Sequence, residues 1–394
     1  MSHFDVLETR TVGERQAALT QALKMQIANA NELPGFDLEQ ISDLDDLAKL
    51  PVLRKSELVA AQKASAPFGG FASDQCDYVF QSPGPIYEPG NVSHDWWRFG
   101  RFMHAAGIGR EDTVHNCFGY HLTPAGMMME SGARAVGARI LPAGTGQTEL
   151  QVHAAANVGS TAYAGTPDFL KVILEKADAL GVSLNLTKAA VSGGALFPSL
   201  REFYAERGIS CLQCYATADL GHIAYEVPEC EGMIVDEGVI VEIVTPGTGK
   251  PVAEGEVGEV VVTSLNSDYP LIRFATGDMS AVLPGMSPCG RTNMRIKGWM
   301  GRADQTTKIK GMFVRPEQVA DLVARMKGID RARVVASRDG EKDVMSIHLE
   351  GEGDAGCFEQ VVMDTLKMRG VVSIVKPGTL PRDGIVIEDQ RTYD

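Results

Sequence analysis

Two charged side chains stand out in the stretch from Tyr269 to Gly311 because glycines flank them. Asp278 follows an apolar run and a Thr-Gly turn, YPLIRFATGD, and such a turn at a strand end can present a carboxylate to the two hydroxyls of a ribose. Arg302 lies in the segment GRADQTTKIKG, and its guanidinium can reach a phosphate or a ribose with several donors at once. Glycines at both ends of this segment let the backbone pivot. These residues predict a nucleotide site.

The pairing of RFATGD with GRADQTTKIKG resembles the adenylate-forming superfamily, and within it the phenylacetate–CoA ligase type. Three further segments agree in the expected order: Ser192–Leu200, Cys214–Glu226 and Gly255–Leu265. The resemblance spans roughly residues 50 to 382. It implies an enzyme that uses ATP and Mg²⁺ to convert a carboxylic acid into an acyl-adenylate, releasing pyrophosphate. The acyl group then passes to the thiol of CoA.

The resemblance also implies which residues bind the nucleotide: Gly193, Gly194, Ala195, Tyr215, Ala216, Asp278 and Arg302. The adenine would lie between the glycine-rich strand end and the ring of Tyr215, with Asp278 on the ribose hydroxyls and Arg302 on ribose or phosphate. From the residues alone, two simpler interpretations stay open. Gly193-Gly194 is also typical of a tight strand-to-helix turn, and Tyr215 could pack in the core.

Three catalytic residues are implied by the same resemblance: Asp219, Arg302 and Asp304. Asp219 stands where the family usually has Glu, and its shorter carboxylate can still ligate magnesium through oxygen. Asp304 would be the hinge about which a small domain rotates. Near the pantetheine of CoA we expect Lys308, Lys310 and Gly311.

A pocket for the acid is expected around NCFGYHLTPAG, Asn116–Gly126, which resembles the family segment beside the carboxylate substrate. Its candidate residues are Tyr120, His121 and Gly126, joined by Thr166 from an adjacent loop. An aromatic lining would suit an aryl or arylacetic acid. His121 could equally be a surface or core histidine without a catalytic role.

The expected phosphate loop departs from the family pattern S-S-G-T-T-G-K-P, because the chain reads SPGPIYEP from Ser82 to Pro89. Pro83 and Pro85 each remove an N–H donor. Glu88 stands where the family has Lys, so we expect repulsion of triphosphate in place of attraction, a change of about 1 to 4 kcal/mol. This loop is not expected to cradle ATP in the usual way.

The C-terminal catalytic lysine of the family is also missing, since Ile385 falls at its expected place. Three functions therefore remain open. The first is an acyl- or aryl-CoA ligase in which other cations replace the two lysines. The second is an ATP-independent enzyme acting on acyl-CoA or acyl-adenylate, and the third is a non-catalytic protein that binds CoA esters or nucleotides.

Composition excludes several other classes of protein. The formal charge of −14 argues against a nucleic-acid partner, which requires clustered Lys and Arg. No signal peptide is visible and no apolar run reaches the roughly 18 residues of a membrane span, so a cytoplasmic protein is expected. Seven scattered cysteines do not indicate a disulfide framework, and Cys211 and Cys214 are expected in a buried strand. Of the Cys/His ligands that some relatives carry, only Cys230 and Cys289 remain, so a structural zinc is not expected.

Strands that alternate with helices of ten to fifteen residues from His94 onward predict a mostly parallel sheet with helices on both faces. After Val227 strand–turn–strand patterns predict a β subdomain. We place a domain boundary at Gly301, giving a large domain over 1–300 and a small α+β lid over 301–394. The family resemblance implies a homodimer.

Overall fold

The computed structural model describes residues 3–30, 41–72, 75–228, 230–303, 305–310, 312–339, 342–381, 383 and 385–391. The described α-helices are α1 (Val12–Asn29), α2 (Lys55–Ala64), α3 (Gly100–Ala105), α4 (Ala125–Ala135), α5 (Thr148–Val158), α6 (Pro167–Leu180), α7 (Pro198–Glu206), α8 (Pro316–Arg325) and α9 (Ala355–Leu366). None of these helices is long and apolar enough to cross a membrane.

The described strands before residue 240 are β1 (Tyr78–Ser82), β2 (Ile86–Gly90), β3 (Thr113–Asn116), β4 (Arg139–Pro142), β5 (Ala162–Gly165), β6 (Lys188–Val191), β7 (Ser210–Thr217), β8 (Gly221–Tyr225), β9 (Met233–Val235) and β10 (Val239–Val244). Those that follow are β11 (Val257–Ser264), β12 (Phe274–Leu283), β13 (Arg295–Ile296), β14 (Thr307–Ile309), β15 (Met312–Val314), β16 (Ile329–Asp339), β17 (Lys342–Gly351), β18 (Val371–Val375) and β19 (Ile387–Asp389).

The chain divides into two compact units. The first comprises Met1–Val241, Val262–Phe274 and Leu283–Trp299, and the second comprises Glu242–Val261, Ala275–Val282 and Met300–Asp394. The division is therefore discontinuous in sequence, and the boundary expected at Gly301 stays a prediction.

The main sheet of the first unit has the strand order β4-β3-β5-β6-β7-β8-β9-β13. Its members from β4 to β7 run parallel, whereas β8, β9 and β13 are antiparallel to their neighbours. The predicted α/β class is thus confirmed. Because parallel strands all end at one edge of their sheet, the loops after β3, β5, β6 and β7 meet there.

Helix α6 illustrates why the crossover segments fold locally. Pro167 occupies its first turn, where a missing N–H costs nothing, and Gly181 ends it in the left-handed conformation that glycine adopts without strain. Its apolar face buries Leu170, Ile173 and Leu174. The helix thereby fixes the direction of the chain as it leaves β5.

The second unit contains a sheet of strand order β18-β17-β16-β19, an antiparallel β16–β17 hairpin flanked by parallel partners. Val319 and Leu322 of α8 and Leu366 of α9 pack in one core with Val334 and Ile347 of the hairpin. This sheet with α8 and α9 gives the unit an α+β architecture, whereas the role of residues 301–394 as a lid stays a prediction.

Two local predictions were wrong. The region from Ala64 to Gly90 was expected to be loop apart from one strand, yet Ile86–Gly90 pairs with β1 as an antiparallel hairpin. A helix was expected from His94, but α3 starts only at Gly100 because Asp95 and Arg98 have positive φ angles of 48° and 67°. Such angles are incompatible with a right-handed helix.

Candidate functional site

The glycine-rich corner after β6 lies against the loops that follow β3 and β5. A Cβ atom placed on Gly193 would be 3.5 Å from Cε1 of Phe118 and 3.7 Å from Cγ2 of Thr166. Gly193 has a φ of +71°, a conformation that side chains disfavour. The structure therefore brings Gly193, a nucleotide-site candidate, close to Thr166, an acyl-pocket candidate, and adds Phe118, which the sequence analysis did not single out.

Strand β7 holds this corner from the other side. The Ser192 hydroxyl donates a hydrogen bond of 3.1 Å to the Cys214 carbonyl, and the Gln213 side-chain amide donates one of 2.8 Å to the carbonyl of Gly194. Tyr215 and Ala216 continue β7 past this point. Gly193 and Gly194 are exposed while Tyr215 is buried, so the corner offers an open face beside a fixed aromatic residue.

Asp219 lies in the turn between β7 and β8, with its carboxylate almost fully buried. Its Oδ2 atom lies 3.1 Å from the ammonium nitrogen of Lys55, at the start of α2. Its Oδ1 atom is buried without a hydrogen-bond partner among the described residues. Asp219 therefore pairs one carboxylate oxygen with a lysine whose side chain is 45% exposed, and its other oxygen is unused.

That free oxygen fits a divalent cation, which prefers carboxylate ligands. The described residues include no group of three or more His, Cys, Asp or Glu side chains that could hold a metal ion. A magnesium ion bound to Asp219 would consequently depend on phosphate oxygens and water for most of its coordination.

Glu88 lies on the β1–β2 hairpin, where the phosphate loop is expected, and its side chain is buried. The residue is 1% exposed, and both carboxyl oxygens are buried. Burial raises the pKa of Glu88 to about 8, and the nearby Asp219 carboxylate adds to the rise. Lys55 and the Ser82 hydroxyl oppose this shift without cancelling it.

Because of this raised pKa, Glu88 should repel a triphosphate less strongly at neutral pH than its residue type alone implies. A carboxyl group with a pKa of about 8 is largely protonated at neutral pH, so it carries little negative charge there. The buried Tyr269 hydroxyl also lacks a partner in the described residues, and burial together with Asp219 and Glu88 raises the pKa of its phenol. Glu88, Asp219, Tyr269 and Lys55 form what we call the acid cluster.

A glutamine fixes the hairpin to the helix that carries Lys55. The Gln62 side chain donates a hydrogen bond of 2.7 Å to the Tyr87 carbonyl and accepts one of 2.9 Å from the Tyr87 N–H. Because α2 begins at Lys55 and β2 contains Glu88, these two hydrogen bonds hold Lys55 and Glu88 in a fixed relation.

The predicted acyl-pocket residues lie at the end of β3. The Tyr120 hydroxyl accepts a hydrogen bond of 2.7 Å from the Asn116 side chain and donates one of 3.2 Å to Glu130. A Cβ atom on Gly126 would lie 2.8 Å from the Tyr120 ring, so glycine is needed for the ring to pack there. Burial, then the charge of Glu130, raises the pKa of Tyr120, which therefore remains a neutral phenol. His121 is exposed at this loop.

In the second unit Asp278 and Arg302, both candidates for the nucleotide site, form an ion pair. The Arg302 Nη1 atom lies 2.8 Å from Asp278 Oδ1, and backbone hydrogen bonds from Met279 to Gly301 and from Ala303 to Gly277 pair the two segments. The Arg302 side chain is 57% exposed and Asp278 12%. The pair is thus rigid at its backbone and accessible at its guanidinium.

The other candidates in the second unit are less closely grouped. Lys310 is exposed, with its N–H bonded to Asp343 and its ammonium 3.2 Å from the Arg369 carbonyl. Asp304, Gly311 and the side chain of Lys308 lie outside the described residues. Ile385, which replaces the expected lysine, is half-buried, and its N–H donates to Asp383.

Among comparisons with known proteins, no family profile matches the chain. A solved 2-hydroxyisobutyryl-CoA ligase, in an open conformation with 2-HIB-AMP and CoA, has a TM-score of 0.72 at 22% identity, covering 98% of this chain and 93% of that one. The same ligase in its thioesterification state gives a TM-score of 0.69. The chain therefore shares its fold with this ligase.

Curated relatives narrow the assignment. The phenylacetate–coenzyme A ligase of Thermus thermophilus is 30% identical over 335 residues, covering 80% of this chain and 74% of that protein. The enzyme of the same name from Escherichia coli is 29% identical over 380 residues, covering 88% and 85%. The chain belongs to the phenylacetate–CoA ligase family.

Proposed function

We propose that the protein is an acyl- or aryl-CoA ligase that forms an acyl-adenylate from a carboxylic acid and ATP and then transfers the acyl group to CoA. Family membership and the open glycine corner beside Tyr215 support this function. The observation that carries it is the ion pair of Lys55 with Asp219, because it provides a cation where the altered phosphate loop has none.

Lys55 would take over the electrostatic role that lysine has in the family's phosphate loop. Its ammonium is about half exposed and stands beside a carboxyl group, Glu88, that is largely neutral at physiological pH. An incoming phosphate would meet one cation and one neutral acid in the acid cluster. Opposite charges near a protein surface attract by up to about 4 kcal/mol, which is enough to orient a triphosphate.

Magnesium would be held by the Oδ1 atom of Asp219, the buried oxygen that lacks a partner in the described residues. When bound, the ion would neutralise phosphate charge during pyrophosphate release. Asp219 can serve Lys55 with one oxygen and the ion with the other. The donor set is small, so ATP itself would complete the site.

In the second unit, Asp278 would accept hydrogen bonds from the ribose hydroxyls while Arg302 contacts ribose or phosphate. Arg302 has free donors for this purpose, since its side chain is more than half exposed. Lys308, Lys310 and Gly311 would line the path of pantetheine, and Asp304 would act as the hinge between the adenylation and thioester steps.

An aromatic acid is the substrate class that we propose for the acyl pocket. The Phe118 ring lies beside the glycine corner, and the Tyr120 ring is fixed by Asn116 and Glu130. In this proposal the two rings would supply apolar surface for the acid, with one phenolic hydroxyl beside it. An arylacetic or aryl carboxylic acid fits that lining better than a highly charged acid.

A second function is favoured by a different observation, the hairpin at Ser82–Pro89. Paired strands with Pro83 and Pro85 in and beside the turn leave fewer N–H groups to surround a triphosphate. Ile385 is also uncharged, at the position where the family resemblance implies the catalytic lysine. On this basis the protein would act without ATP on a ready-made acyl-CoA or acyl-adenylate.

One pair of assays separates the two functions. Exchange of labelled pyrophosphate into ATP, run with a panel of aryl and arylacetic acids, requires adenylation and is expected for the ligase. Hydrolysis or transfer of aryl-CoA in the absence of ATP is expected for the second function. If neither reaction occurs while calorimetry detects AMP or CoA-ester binding, both enzymatic proposals are wrong and the protein is a binding protein.

A further inference from the structure

Two thiols that the proposed function does not use meet through one serine in the first unit. The Ser287 oxygen lies 3.0 Å from Sγ of Cys289 and 3.5 Å from Sγ of Cys230. The two thiols also hydrogen-bond to each other, and both pack against the same apolar core. The two sulfurs are therefore neighbours, although 59 positions separate the residues in sequence (289 minus 230).

A buried cation stands beside this pair. The Arg291 side chain is 2% exposed, and its Nη2 atom pairs with Glu8 Oε2 at 2.9 Å. Its Nε and Nη1 atoms are also buried, and the guanidinium interacts with the sulfur of Cys289. An anionic sulfur is the group that such a charge would stabilise.

The two cysteines differ in acidity. Burial alone would raise the pKa of Cys289, but interactions with Ser287 and Arg291 outweigh it and lower the pKa to about 7. Burial raises the pKa of Cys230. Both thiols are only partly buried, so a small oxidant can reach either sulfur.

We propose that Cys289 and Cys230 form a redox-active dithiol, in which Cys289 reacts with a hydroperoxide and Cys230 resolves the product as a disulfide. The Cys289 thiolate attacks one peroxide oxygen and breaks the O–O bond, giving a sulfenic acid and hydroxide when the oxidant is hydrogen peroxide. The Cys230 sulfur then attacks the Cys289 sulfur, forming the S–S bond and releasing water. The two sulfurs together lose two electrons, and the peroxide is reduced.

The closing test uses the whole protein, reduced, treated with a chelator and desalted. One equivalent of hydrogen peroxide is added, and peptides are mapped without reductant. We expect a Cys230–Cys289 linked peptide that a dithiol reductant separates again. Cys289 as sulfinic or sulfonic acid beside a reduced Cys230 would overturn the proposal, because no resolving step would then have occurred.

Variants distinguish the two roles. In Cys230→Ser we expect Cys289 to persist as sulfenic acid that dimedone traps, whereas Cys289→Ser should give neither product at Cys230. Ser287→Ala should slow alkylation of Cys289 at pH 6 by about threefold to tenfold, because the thiolate loses one hydrogen bond. Cys357→Ser, at an exposed thiol of α9, is the matched control and should change neither result. An unchanged alkylation rate in Ser287→Ala would contradict the assigned role of the serine.

Metal binding is the competing explanation, and the same sample decides it. Elemental analysis before chelation measures zinc per chain. Stoichiometric zinc, with thiols that peroxide reaches only after its removal, would make this a metal site and overturn the proposal. Absence of stoichiometric zinc together with the linked peptide supports it.

Discussion

The ammonium of Lys55 lies 3.1 Å from the carboxylate of Asp219, although 164 positions separate the two residues in sequence. The Asp219 side chain is 1% exposed and that of Lys55 is 45% exposed. A buried carboxylate is thus neutralised by a lysine that can still reach solvent. Substitution of Lys55 tests whether this lysine also interacts with ATP.

Replacing Lys55 with Met should lower pyrophosphate exchange by about tenfold to a thousandfold, the range expected when one charge of 1 to 4 kcal/mol is lost. Lys55→Arg should keep most of the exchange because it keeps the charge. Lys63→Met alters an exposed lysine of the same helix and is the matched control. Equal exchange in Lys55→Met and Lys63→Met would show that Lys55 is not the substitute cation.

The raised pKa of Glu88 predicts how the stability of the folded protein changes with pH. Its pKa rises from 4.5 to about 8 on folding, so between these values the folded protein holds more protons than the unfolded chain. Stability should therefore fall as pH increases through this window, by at most about 1.4 kcal/mol per pH unit. Glu88→Gln removes this titration, so the variant should match the wild type near pH 4.5 and exceed it by a few kcal/mol at pH 9.

Urea unfolding at several pH values measures this difference. Glu254→Gln, at an exposed glutamate, should leave the pH dependence of the free energy of unfolding unchanged. If Glu88→Gln and the wild type show the same slope with pH, the Glu88 carboxyl is not the buried neutral acid that its environment indicates.

Arg302→Ala should weaken AMP binding by about tenfold to a hundredfold, the usual loss for a hydrogen bond to a charged group. Stability should change little, because an ion pair with so exposed an arginine contributes at most about 1 kcal/mol. Calorimetric titration with AMP is the measurement. Arg325→Ala is closely matched, since Arg325 is 55% exposed and lies 2.8 Å from Asp321. Similar losses in both variants would remove Arg302 from the nucleotide site.

Gly194→Val tests the glycine corner. A Cβ atom on Gly194 would meet only Pro167 Cδ, at 3.4 Å, so the fold should tolerate a side chain. The added methyl groups would occupy the face proposed for adenine, and we expect AMP affinity to fall at least about tenfold, or 1.4 kcal/mol. Gly109→Val, at a glycine with open space around it, is the control. Unchanged AMP affinity in Gly194→Val would place the adenine elsewhere.

Site residues that are marked by local sequence motifs, or that follow neighbouring strands, could be predicted from the sequence. Those that meet only through tertiary packing could not. Asp278 and Arg302 lie 24 positions apart (302 minus 278), in two sequence motifs that could be recognised and that pair by backbone hydrogen bonds in the structure. Thr166 and Gly193 follow neighbouring parallel strands, where strand ends converge by rule. Lys55 and Tyr269 join Asp219 only through tertiary packing, and no local pattern marks them.

The chemistry of Glu88 shows the same limit at a single residue. Sequence predicted its charge from its type, whereas the pKa depends on burial and on Asp219, which only the folded chain supplies. The strand Ile86–Gly90 was missed for a related reason. Proline normally weakens a strand prediction, but pairing of a short hairpin tolerates Pro89 opposite Val79.

The two hydrogen bonds between Gln62 and Tyr87 constrain which substitutions positions 55 and 88 can accept during evolution. With α2 fixed to the hairpin, a lysine introduced at position 88 would enter a site where Lys55 already neutralises Asp219. Two ammonium groups would then compete for one carboxylate. The effects of substitutions at positions 55 and 88 should therefore depend on each other. A change at one position is expected to be tolerated only together with a compensating change at the other.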